Sequence, residues 1–171
     1  YFTIAYGSAS IGMWSSFAYA WQDYDANGSV MYYDEAGGYH SAMGYGALTA
    51  WGLAKFVPSK NTWATRVEFW TNDVTTDVDI YIYDAFSGST LSNLLFSRLN
   101  LSFNEAGYHS VSIDPTLPLY SANDVAVVVK FTNASYPYPL PVDPVGPTQA
   151  GRTYASRSGQ SGSWTDMQKY D

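Results

Sequence analysis

Apolar and polar residues alternate strictly over Asp77-Val-Asp-Ile-Tyr-Ile-Tyr83, so Val78, Ile80 and Ile82 fall on one face of a strand and Asp77, Asp79, Tyr81 and Tyr83 on the other. Residues 124–131, Asp-Val-Ala-Val-Val-Val-Lys-Phe, form a short apolar run too short for a good helix and dominated by β-branched side chains. That run predicts a central core strand. Similar patterns predict strands near Phe17–Trp21, Ser29–Tyr33, Thr49–Phe56, Ala64–Thr71, Leu95–Phe103 and Tyr108–Ile113. Between them stand turn signals such as Asp25-Ala-Asn-Gly28, Gly37-Gly38, Ser87-Gly88, Asn104-Glu-Ala-Gly107 and Asp114-Pro115, at sandwich spacing. The expected fold is all-β: a two-sheet antiparallel β-sandwich, jelly-roll-like, with no long helix. Residues 136–147 hold five prolines and predict an extended, polyproline-like crossover outside the sheet interior, a rigid surface connection more than a binding ledge. No repeat suggests a solenoid or propeller.

Composition sharpens this picture. The 171 residues suit one domain with a proper core, and aromatics at 18% favour half-buried strand faces. Only 13% of residues are charged, so the surface must be polar through hydroxyls and amides. With a net charge of -7 and eight scattered basic residues, no positive stripe exists for nucleic acid. No apolar run reaches membrane-spanning length, and the opening YFTIAYGSASIG lacks the pattern of a signal peptide, so the chain reads as processed or as a fragment. There is no cysteine, which excludes disulfides, thiolate nucleophiles and zinc–thiolate sites in this chain. Asn-X-Ser sequons at Asn27, Asn100 and Asn133 are glycosylation candidates and point towards export; ordinary loop and strand-end asparagines are the alternative.

Candidate chemistry is sparse. His40 and His109 sit in no catalytic motif, and His109 alternates with Val111 and Ile113, as a satisfied strand histidine does. No Gly-X-Ser-X-Gly elbow occurs. Asp34 with Glu35, and Asp77 with Asp79, are the paired carboxylates; the second pair shares a strand face about 7 Å apart but has no cleft signature. Asp23, Asp25 and Asn27 place oxygens at alternate positions as calcium loops do, without the closing Glu, and a capped turn explains them equally. No cofactor and no catalysis are expected.

The order of MYYDEAGG at 31–38, YGALTAWGLAKF at 45–56, VDIYIYD at 78–84, AGYHSVSID at 106–114, DVAVVVKFTN at 124–133, YPYPLPV at 136–142 and GSWTDM at 162–167 resembles the lectin-like domain found downstream of papain-like cysteine peptidases in methanogens and some bacteria. The resemblance implies an extracellular β-sandwich for glycan binding or surface attachment. Residues 1–12 resemble the last strand of such a peptidase, whose catalytic residues have no counterpart here, and 13–171 form the lectin-like part. The family pattern continues past the Trp-Thr-Asp turn into another strand, whereas this sequence stops at Asp171.

Two functions follow. A surplus opening strand carrying Tyr1, Phe2, Ile4, Tyr6 and Ile11 would fill a neighbour's gap, and head-to-tail repetition would build a filament or sheath of copies at the cell surface. The alternative is a carbohydrate-binding module on which rings from the set Tyr32, Tyr33, Tyr39, Tyr45, Trp51, Tyr81, Tyr83 and Trp164 stack on cell-surface glycans, most of the set being core or cross-strand packing.

Overall fold

The computed structural model describes residues 27–33, 41–144 and 149–170, and Met31–Asp171 forms one compact unit. Among the described residues, ten strands run in chain order: β1 Ser41–Met43, β2 Thr49–Phe56, β3 Thr62–Thr71, β4 Asp77–Phe86, β5 Leu91–Ser102, β6 Gly107–Leu119, β7 Val125–Thr132, β8 Leu140–Val142, β9 Thr153–Ser156 and β10 Thr165–Asp166. A 3-10 turn, Met167–Tyr170, follows. Six strands make one sheet in the order β10-β9-β2-β7-β4-β5, while β3 pairs with β6 and β1 with β8, every pairing antiparallel.

The expected alternation is present in β4. Val78, Ile80 and Ile82 lie fully buried in the main core with Ala50, Val129, Phe131 and Ala155 from the same sheet, and Val67, Phe69, Val111, Ile113, Leu119 and Leu140 from β3, β6 and β8 close over them. This is the two-layer solution in which inner faces interdigitate. Phe69 meets Phe131 edge-to-face across the layers at 6.1 Å.

Three expectations need correction. Residues 29–33 join no sheet; Tyr33 is instead held by its side chain, stacked on Phe56 at 5.0 Å and donating its hydroxyl to the Lys55 carbonyl at 2.7 Å. Asp114-Pro115 is not a turn, because β6 runs through it and the pairing with β3 skips from Arg66 opposite Ser112 to Ala64 opposite Leu117. A bulge of this kind takes a residue without an N–H out of the ladder. The proline-rich segment does not stay outside the sheets: Leu140–Val142 pairs with β1, and Pro139 and Leu140 are buried. A three-residue strand at a sheet edge needs few donors, so Pro141 is tolerated there. The predicted strand at Phe17–Trp21 lies outside the described residues.

Candidate functional site

The outer face of the six-stranded sheet is set by the residues that alternate with the core. Cross-strand register puts Ser156, Trp51, Lys130 and Asp79 side by side in one row across β9, β2, β7 and β4. The next row is Tyr154, Leu53, Val128 and Tyr81, and Tyr83 lies one further row along β4. Beneath these polar and aromatic groups, Leu53, Phe86, Ala126, Val128 and Trp164 form a second buried cluster.

The rings stand in a column. Trp51 and Tyr81 are 5.7 Å apart and 26° from parallel, and Tyr81 and Tyr83 are 6.4 Å apart at 28°. The loop after β9 closes one end: Gly159 has φ +69°, and a Cβ there would come within 2.6 Å of the Trp51 ring. Only a residue without a side chain allows this approach, and the left-handed backbone also favours glycine. The Ser156 hydroxyl accepts from the Gly159 N–H at 2.9 Å, and Thr90 and Ser161 share a hydroxyl hydrogen bond at 2.8 Å, so the loop is pinned at both ends. All three rings of the column are half-buried.

An ion pair borders the column. Lys130 Nζ lies 2.7 Å from Asp79 Oδ2 and 5.8 Å from the Trp51 ring centre. Asp79 also accepts from the Asn100 N–H at 2.8 Å and hydrogen-bonds Tyr81. Burial pushes the Asp79 carboxyl up, but the Lys130 hydrogen bond, the Asn100 N–H and the Lys130 charge together hold it below its ordinary value. The Asp79 hydrogen bond, against burial, raises Lys130, while burial and then the Asp79 charge raise Tyr81. The pair therefore stays ionised and Tyr81 stays a donor. A glycosidase general acid needs the opposite shift, so Asp79 is not tuned for that role. The sheet face thus gathers aromatic rings, phenol hydroxyls, one ammonium and one carboxylate side by side.

The other candidates are dispersed. Trp164 is buried edge-to-face on Phe86 at 5.9 Å, and its indole N–H has no partner among the described residues, so it packs and offers little ring to a ligand. Tyr32 is exposed, Tyr33 anchors the entering chain, and Tyr45 packs against the main core. Asn27 and Asn100 are exposed. Asn133 is 2% exposed; it accepts from Thr76 Oγ1 at 2.7 Å and donates to the Tyr136 carbonyl at 3.1 Å, so its amide is committed inside the fold. Asp23, Asp25, Asp34, Glu35, Tyr39, His40, Tyr1, Phe2, Ile4, Tyr6 and Ile11 lie outside the described residues, among which no cluster of metal-ligating side chains occurs.

His109 is an interior histidine. It stacks on Phe103 at 3.8 Å, and its Nε2 lies 2.9 Å from Thr71 Oγ1. Thr71 Oγ1 also accepts from the Gly107 N–H, and the Glu105 backbone hydrogen-bonds the imidazole as well. Burial, against the Glu105 charge and backbone bond, lowers the imidazole below its ordinary 6.5. The unfolded chain thus takes up this proton first on acidification. Stability from the neutral ring is full above 6.5 and is lost as pH falls from there towards the folded value. Urea titrations across this window are expected to show a falling midpoint that flattens in His109→Phe; an unchanged acid limb would refute the assignment.

A family model described as "Lectin like domain" matches residues 31–171. Among solved structures, the cysteine protease and lectin-like domains of Cwp84, a surface layer associated protein of Clostridium difficile, match with TM-score 0.50 at 16% identity, over 72% of this chain and 29% of that one. A clostridial cysteine protease Cwp84 after propeptide cleavage matches with TM-score 0.54 at 16% identity, over 77% of this chain and 34% of that one. This chain therefore spans about a third of the length of the structures it matches, and at this identity the likeness is one of fold. No curated protein sequence matches.

Proposed function

We propose that this chain, which belongs to the lectin-like domain family, is a non-catalytic attachment module of a surface or secreted protein, and that it binds saccharide on the outer face of its six-stranded sheet. The observation that carries this reading is the Trp51–Tyr81–Tyr83 column bordered by the Lys130–Asp79 pair. Trp51 is clamped by Gly159 and anchors the column, and Tyr83 is its far end. Support for a surface role comes from the Cwp84 likeness, a surface layer associated protein whose lectin-like domain accompanies a protease. The present sequence has no cysteine to serve as that enzyme's nucleophile.

A glycan array, followed by calorimetry on the retained sugar, tests it. Removing one stacking ring forfeits about 0.5–1.5 kcal/mol, so Tyr83→Ala is expected to weaken binding roughly two- to tenfold, with the variant still folded and its unfolding midpoint lowered by the loss of the Tyr81 stack. An array without a retained glycan, or equal affinity in the variant, sinks the reading.

Self-association through strand edges is the second reading. It draws on β5, a twelve-residue edge of the six-stranded sheet with Leu94 and Leu99 exposed. Against it, Asn93 and Asn100 on that edge have φ of 54° and 56°, and the pairing with β4 shifts register. Such bulges make an edge a poor template for another strand. The native mass with and without residues 1–12 decides: a monomer in both forms ends the filament reading, and a large particle that dissolves on truncation restores it.

A further inference from the structure

We infer that Asn100 carries an N-linked oligosaccharide. Of the three sequons, Asn133 is closed to modification by burial and by the bonds of its amide to Thr76 and Tyr136, and Asn27 precedes the unit that begins at Met31. Asn100 is exposed on the free edge of the six-stranded sheet, and Ser102, the hydroxyl residue of its sequon, is exposed beside it. Neither side chain has a hydrogen-bond partner among the described residues, since the bond between Asn100 and Asp79 uses the backbone N–H.

The left-handed backbone accounts for an asparagine at this position but not for the rest of the triplet. Asn93 is an internal control. It occupies the same conformation on the same strand, its amide donates to Asp84 Oδ2 at 3.2 Å, and no sequon surrounds it. Asn100 leaves its side-chain amide free, and Ser102, whose backbone pairs opposite Asp77, has a hydroxyl with no hydrogen bond among the described residues.

The modification is a transfer from a lipid-(pyro)phosphate-linked oligosaccharide. Asn100 Nδ2 bonds to the sugar C1 while the C1–O bond to phosphate breaks, the lipid (pyro)phosphate leaves with the electron pair, and one amide proton passes to a base of the transferase. Oxidation states do not change. A glycan here stands over the strand edge and does not touch the core. The inference does not rest on saccharide binding by the aromatic column.

The test is peptide mass spectrometry of the full chain isolated from the cells that make it. The Asn100 peptide is expected to carry an added mass of several sugar residues and the Asn133 peptide none. Ser102→Ala, which removes the acceptor triplet yet keeps asparagine at the left-handed position, is expected to abolish the addition completely, as is Asn100→Gly. An Asn100 peptide of unmodified mass overturns the inference, and so does an addition that survives Ser102→Ala.

Discussion

Replacing Gly44 by alanine is expected to destabilise the unit by about 3 kcal/mol, the upper end of what overpacking costs, and to lower the unfolding midpoint by roughly 6–12 °C. A Cβ at Gly44 would lie 2.0 Å from the Pro137 carbonyl oxygen and 2.9 Å from the Tyr138 Cα. Both obstacles are backbone, so no side-chain rotation relieves them. The chain leaving β1 must move away from the 137–138 segment, and the β1–β8 pairing with its buried Leu140 moves with it. Differential scanning calorimetry of Gly44→Ala measures the loss. An unchanged midpoint would mean that the two segments do not approach as described.

Phe131→Ala is expected to cost about 3–5 kcal/mol, as deletion of a buried phenyl ring does. The ring is 4% exposed and meets Phe69 edge-to-face across the layers, so its loss leaves a void that neither sheet can fill without bending. Phe131→Leu keeps most of the volume and is expected to recover all but about 1.5 kcal/mol. Denaturant titration distinguishes the two variants. Equal stability of the alanine and leucine forms would place Phe131 outside the core.

These two sites mark what was and was not legible in the sequence. The strand that carries Phe131 reads directly, because a β-branched run bounded by turns has few alternatives, and β2 and β4 are similarly plain. The Gly44 approach does not read at all. It depends on β8, where three prolines within residues 137–141 signal a segment outside the sheets, yet burial of Pro139 and Leu140 overrides that local signal. Asp114-Pro115 misleads for a related reason, since a bulge opposite Ala64–Arg66 absorbs the proline without ending β6. Alternation within β4 puts Tyr81 and Tyr83 on one face. Their company with Trp51, Lys130 and Gly159 comes from a register linking strands tens of residues apart, and no local pattern encodes that.

The anchoring of Tyr33 has a mechanical consequence. Among the described residues, a pull that arrives at Met31 meets Tyr33 before it meets a strand ladder. There it meets a hydroxyl bond to the Lys55 carbonyl, a stack on Phe56, and the Arg152 guanidinium 5.9 Å from the ring centre. Together these contribute a few kcal/mol, and they hold Tyr33 against the end of β2 without being rungs of a strand ladder. Under load the latch can slip and re-form while the sandwich keeps its shape, so a tethered module would yield at its collar before its core.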